Sequence, residues 1–300
     1  RVATARMMAA GGSGGSGDVD TVDFAVMSSD GNFADFGNLS SARDLLAGMG
    51  SHTRAIFGGG QSPGKVTTIE FFTLATTGNA TDFGDLTSAR GQGGAVSNSI
   101  RGLPHAGAEN PDLNTIDYVS IASTGNAADY GDLTVARSVD ACGSPTRGIF
   151  AGGYPNSTVI DFVTLATTGN AIDFGDLSSA RYLSAGMSNS TRGIFGGGYY
   201  YHSSNAASHT TIDEMNIGSK SGGTDYGDLT HAVSHNRGGS NRTRGVSMGG
   251  HPGSSPNISN IIDFLSLNSA GNATDFGDLS AARQPGSGMS NGHGGLKNTP

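Results

Sequence analysis

Ala75-Thr76-Thr77-Gly78-Asn79-Ala80-Thr81-Asp82-Phe83-Gly84-Asp85-Leu86-Thr87-Ser88-Ala89-Arg90 holds a motif, Asp-aromatic-Gly-Asp-Leu, that returns along the whole chain. It recurs from Asp129, Asp173, Asp225 and Asp275, with the variant Asp35-Phe36-Gly37-Asn38-Leu39 near the start; the copies stand 47, 47, 44, 52 and 50 residues apart. Such a period marks a stack or ring of repeated supersecondary units. Working outward, an acidic residue precedes each motif by 12 positions (Asp23, Glu70, Asp117, Asp161, Asp213, Asp263), and an Arg follows by 8 (Arg43, Arg90, Arg137, Arg181, Arg283), with Val233 as the exception. A second Arg lies 10 or 11 residues further on, at Arg54, Arg101, Arg147, Arg192 and Arg244, usually ahead of a Gly-rich apolar run.

Four segments of 5 to 9 residues per repeat, separated by Gly, Asn and Ser, have the length of strands and the punctuation of turns. In the fourth repeat these are A, Ala136 to Cys142; B, Arg147 to Gly153; C, Thr158 to Ala166; and D, Ala171 to Leu177. Strand C is apolar on both alternating faces, which suits a sheet packed on both sides. Thr-Gly-Asn between C and D reads as a tight turn, since Gly and Asn accept positive φ. A four-stranded sheet cannot bury both of its faces alone; six of them around an axis can. The ends point to a ring. Arg6 to Gly12 aligns with a B strand that lacks its A, while Ala282 to Asn291 supplies an extra A strand. The expected fold is therefore all-β: a six-bladed propeller over residues 1–300, closed by the C-terminal strand A pairing with the N-terminal strands B–D.

Ala-Arg, Ile-Phe-Gly-Gly-Gly, Ile-Asp-Phe and Asp-Phe-Gly-Asp-Leu, in that order, resemble the kelch repeat of β-propellers. The wording of Ala75 to Arg90 also looks like repeats of tail-fibre and virion structural proteins of marine cyanobacterial phages. Phe or Tyr stands throughout where kelch repeats carry Trp, and the third repeat breaks its double Gly with Leu103-Pro104-His105-Ala106. The resemblance implies a virion component that assembles with other virion proteins or attaches to a host-surface glycan or protein. Kelch-type propellers also host carbohydrate-active and oxidase-type enzymes, and others are intracellular interaction modules, so both remain alternatives.

Composition agrees with a turn-rich β protein: 50 of 300 residues are Gly, against an average near 7%. No apolar run reaches 18 residues, so no membrane insertion is expected, and nothing resembles a secretory signal. The chain begins at Arg1, as expected of a processed product or a piece of a longer polypeptide. One Cys, Cys142, makes no internal disulfide. A net charge of −8 argues against nucleic acid as a partner.

Asn-x-x-Asp-x-Gly-Asp, as in Asn79 to Asp85, has the alternating oxygen donors of a calcium loop. Yet 17 of 25 acidic and 11 of 17 basic residues occupy positions that recur once per repeat. Charge recurring in both signs reads as scaffold, with Asp82, Asp129, Asp173, Asp225 and Asp275 capping turns and pairing with Arg43, Arg90, Arg137, Arg181 and Arg283. The residual charge is nearly balanced, so no polar patch advertises a substrate, and residues outside the pattern fall mainly in loops. His202, His209, His231, His235 and His251 cluster in sequence but lack the spacing of a zinc site. No metal, cofactor or catalytic residue is expected.

Function is expected where length escapes the pattern. The distance from the strand B Arg to the strand C acid is 16 in two repeats, 14 in the fourth, 21 in the fifth and 19 in the sixth. The varying segment is the B–C loop, which opens on the same face as the D–A loop. Candidate binding residues there are Tyr199, Tyr200, Tyr201 and His202, with His251 in the sixth repeat and Glu109 and Asn110 in the third. Consecutive Tyr side chains are rigid contact groups with polar tips; the alternative is that they cover the edge of the neighbouring blade.

Overall fold

The computed structural model describes residues 5–105, 107, 113–201, 207–253 and 257–296. Among them every regular element is a β-strand, and all pairings are antiparallel. Repeat four shows how the pattern becomes structure: strands A (Asp140–Gly143), B (Arg147–Ala151), C (Val159–Thr164) and D (Ile172–Asp176) hydrogen-bond in that order. Strand A starts four residues later than its sequence pattern predicts, because Arg137 turns inward to an ion pair before the ladder begins.

The strands form a propeller arrangement. Strand A of each repeat lies beside strand A of the next: Ala47–Gly50, Ala95–Ser97, Asp140–Gly143, Ala185–Ser188 and Arg237–Ser240 in turn. Ser287–Ser290 touches the last of these and the first, so the innermost strands close a cycle. That closing strand pairs with the N-terminal strand Arg6–Gly14, Met7 opposite Ser290 and Met8 opposite Met289. One sheet is thus built from both ends of the chain.

Six separate four-stranded sheets are expected from the repeats; hydrogen bonding gives five sheets instead. Three have four strands, the N-terminal one has five because Arg283–Gln284 also pairs with Arg6–Gly14, and one has nine. The nine-stranded sheet arises in the fifth repeat, where Val233 replaces the Arg that elsewhere leaves the strand for an ion pair. Thr224–Ser234 therefore stays extended and pairs Val233 with Pro252 and Ser234 with His251 of the sixth repeat.

Neighbouring sheets share their cores. Met8, Val22 and Phe36 pack with Phe57 and Phe72, the Phe36 and Phe72 rings meeting edge to face at 5.7 Å; Met7 and Ala9 pack with Met248 and Ile262 across the closure. A clasp at the rim adds to this. Gly84 has φ +144°, and a Cβ there would lie 2.5 Å from the carbonyl oxygen of Gly125 in the next C–D turn. The Gly125 N–H donates to the Phe83 carbonyl at 2.7 Å, and the Asp85 N–H donates to Asn126 Oδ1 at 3.1 Å. The same Asn bond recurs at Asn79, Asn170, Asn272 and, closing the cycle, Asn32. The Asn of the would-be calcium loop is thus a fastener between repeats.

Candidate binding face and axial pocket

Most of the charge is consumed by the frame. Arg43, Arg90, Arg137, Arg181 and Arg283 reach Glu70, Asp117, Asp161, Asp213 and Asp23 at 2.6 to 3.1 Å, with every side chain at most 3% exposed. The partner is thus the strand C acid. This corrects the expected pairing: Asp82, Asp129, Asp173, Asp225 and Asp275 lie exposed on strand D, where Asp173 meets Lys220. In the sixth repeat, where Val233 stands for Arg, His231 faces Asp263 at 3.8 Å.

The second Arg of each repeat spans two repeats. Arg54 lies over the Phe71 ring and donates to the Ile121 carbonyl of the next repeat; Arg147 does the same with Phe162 and Ile217. Arg244 lies over Phe264 and closes the cycle onto Asp30. Guanidinium groups suit this double role, being flat enough to stack and still able to donate.

On the B–C loop face the Tyr residues gather. Tyr154 of repeat four meets Tyr182 of repeat five edge to face at 5.4 Å, and Tyr182 meets Tyr199 at 5.9 Å. The Tyr201 N–H donates to Asn156 Oδ1 at 2.9 Å, and Asn156 Nδ2 donates back to the Tyr201 carbonyl, tying two B–C loops together. Tyr199–Tyr200 forms a short strand against Ala207–Asn216 and is half-buried. Tyr154 and Tyr201 remain 41% and 53% exposed. Burial, then the neighbouring Tyr199, Tyr154 and Tyr201, push the Tyr182 phenol up to about 12. The two readings of the Tyr run therefore divide within it: Tyr199 packs, and Tyr201 presents itself. His251 lies on this face but is engaged, its Nε2 2.9 Å from Gln284 Oε1 and its ring 5.0 Å from that of His235. His202, Glu109 and Asn110 lie outside the described residues. Among the described residues no three His, Cys, Asp or Glu side chains are placed to hold a metal ion.

The axis carries what the sequence reading missed. Gly186 and Gly238 let the inner strands approach so closely that a Cβ at either would lie 2.2 to 2.3 Å from the carbonyl oxygen of the preceding strand. One step along, Ser97 Oγ donates to the Gly50 carbonyl at 3.0 Å, Ser188 Oγ to Gly143 at 2.7 Å and Ser240 Oγ to Ser188 at 2.8 Å. Beyond this collar the C-terminal segment closes the channel: His293 Nε2 lies 3.1 Å from the Gly50 carbonyl, and burial brings its imidazole down to about 4.

The opposite end, on the B–C loop face, opens into a pocket lined by Gln92, Ser138, Asp140, Ser184, Arg237 and several backbone Gly residues. Water-sized spheres can be centred in about 60 Å³ of it. Asp140 Oδ2 accepts from the Ser184 N–H and Oγ at 2.8 and 2.9 Å. Burial raises the Asp140 pKa against the opposing pull of Arg237. Residues outside the pattern thus do converge near the axis, contrary to expectation. They were findable: once the recurring charges are subtracted, Arg237 and Asp140 stand in strand A, where repeating positions carry small residues.

Nearby, Asp44 is 8% exposed and its Oδ1 has no hydrogen-bond partner among the described residues. Burial and then the Asp18 carboxylate push it up to about 6, from an ordinary 3.8. The fold thus favours the protonated form. Its contribution to stability is complete below the unfolded-state pKa and is lost as pH rises through about 6, a swing of about 3 kcal/mol. Asp44→Asn is expected to raise the melting temperature at pH 8 and to leave it nearly unchanged near pH 3.8; equal shifts at both values in calorimetry would refute the assignment.

Compared with protein-family models the chain matches none, and no curated protein matches it significantly.

Proposed function

We propose that this chain is a non-enzymatic, kelch-like, six-bladed propeller that serves a virion, attaching it to a host-surface glycan or protein or to a neighbouring virion protein. Its strand pairings, taken repeat by repeat, supply the six A-to-D units of that reading. The virion assignment rests on the repeat wording around Ala75 to Arg90. The attachment role is carried by one observation: an aromatic cluster of four Tyr on the face where loop length varies, two of them well exposed. Tyr rings of this kind supply contact area at little cost in side-chain freedom and stack on sugar faces or partner side chains.

The experiment is the double variant Tyr154→Ser, Tyr201→Ser. Its stability is expected to stay within about 1 kcal/mol of the parent, since both side chains are largely exposed. Binding of the labelled protein to host cells, or to isolated tail proteins, is expected to weaken about tenfold, ~1.4 kcal/mol. Tyr182→Ser serves as the contrast and is expected to lower stability first. Undiminished attachment by the double variant would remove the Tyr face from the binding surface.

A further inference from the structure

The geometry points to a second, separate ligand site at the axial mouth, one that takes the carboxylate end of a sugar acid on Arg237, with Asp140 and the surrounding Ser hydroxyls receiving its hydroxyl groups. It does not rest on the attachment reading; it would stand in a protein with any other use for its Tyr face.

Position is the first argument. Arg237 and Asp140 each begin an inner strand, and the corresponding residues of other repeats are Ala47, Gly94, Ala185 and Ser287. A charge in a ring of Ala, Gly and Ser is not needed to hold the strands, which pair equally well without one. The frame's own charges all recur; these two do not.

Availability is the second. Arg237 Nε donates to the Gly286 carbonyl at 3.3 Å and Nη1 to the Asn236 carbonyl at 3.4 Å, both long. No carboxylate lies within 4.0 Å of its guanidinium among the described residues, unlike the Arg of the buried pairs. Asp140 and Asp44 attract it from further away, so the cation is held near the mouth and its flat, forked group can meet a carboxylate side-on.

Size and polarity choose the class. A water needs about 10–15 Å³ of such centre space, so a pocket of about 60 Å³ takes about four to six waters, the bulk of a carboxylate and the carbinol groups beside it. The rest of a sugar ring would project through the open mouth. The wall offers hydroxyls at Ser138 and Ser184, an amide at Gln92 and Gly backbone, with few apolar side chains. That favours a polyhydroxylated acid over an apolar one. A carboxylate on Arg237 and hydroxyl donors toward Asp140 satisfy both charges at once.

D-glucuronate, its methyl ester and D-glucose, titrated into the intact chain by calorimetry, test this. Glucuronate is expected to bind with one-to-one stoichiometry, and the ester and glucose at least tenfold more weakly. Arg237→Gln is expected to lower glucuronate affinity at least tenfold, and Asp140→Asn to weaken it with the ester's deficit retained. The Tyr154→Ser, Tyr201→Ser protein is expected to bind glucuronate as the parent does, which separates this site from the attachment face. An oligosaccharide ending in glucuronate distinguishes the sources: tighter binding than the monomer marks a glycan chain end, weaker binding a free sugar acid, and either ranking upholds the class. Equal affinity for glucuronate and its ester, absence of glucuronate binding, or unchanged binding by a folded Arg237→Gln protein would overturn the proposal. Should Arg237→Gln fail to fold, the acid-against-ester comparison on the parent still decides.

Discussion

Truncation after Ala282 is expected to abolish the single cooperative melt and to convert the protein into an associating species. The deleted segment contains Ser287–Ser290, which pairs along the inner edge of Arg6–Gly14, together with Met289, buried in the core shared by the first two repeats. It also contains Arg283, whose guanidinium faces Asp23 at 3.1 Å where neither side chain is more than 3% exposed. Removing Arg283 alone leaves a buried carboxylate without its cation, a loss of about 3–5 kcal/mol. Removing the strand as well exposes an unpaired edge of apolar sequence, Met7-Met8-Ala9-Ala10, of the kind that recruits other chains. Calorimetry with light scattering on the truncated protein checks this; an unaltered melt and a monomeric mass would show that closure does not depend on that strand.

The second large effect concerns a buried pair in the frame. Asp213→Ala leaves Arg181 charged and 0% exposed, and strips the Ser178 N–H and Oγ of the carboxylate they donate to at 2.9 and 2.6 Å. A loss of about 3–5 kcal/mol is expected in urea unfolding. Replacing both partners, Asp213→Leu with Arg181→Met, is expected to recover most of it, because the cost lies in the orphaned charge rather than in the absence of a bond. A single variant within 1 kcal/mol of the parent would mean that water reaches Arg181, contrary to its burial.

What could be read from sequence followed from redundancy. Six copies of strand C, each with an acid flanked by apolar residues, make its boundaries legible, and Val159–Thr164 lies within the expected Thr158 to Ala166. Ring closure was legible because Arg6 to Gly12 and Ala282 to Asn291 are complementary fragments of one unit. Pairing partners were harder. Both the strand C acid and the strand D Asp recur at fixed distances from the Arg, and spacing alone does not say that Asp161 points inward beside Arg137 while Asp173 points to water. Averaging over repeats also hid Asp140 and Arg237, since a reading tuned to what recurs discards what occurs once. The fused sheet of the fifth and sixth repeats has the same origin: Val233 was visible as a departure, but its consequence, an uninterrupted strand, needed the backbone path.

The sheet that joins both chain ends sets the timetable of biogenesis. Met8 and Met289 are partners across 281 residues. At about 5–20 residues per second, a ribosome needs about 14–56 s between making one and making the other. Throughout that interval the first three strands have no fourth, and their open edge is held only by the neighbour that follows them. Later repeats emerge with their strands in order and complete themselves at once. The earliest segment made is therefore the last to be finished, and a stalled or prematurely ended translation product presents a nearly whole propeller with one adhesive side.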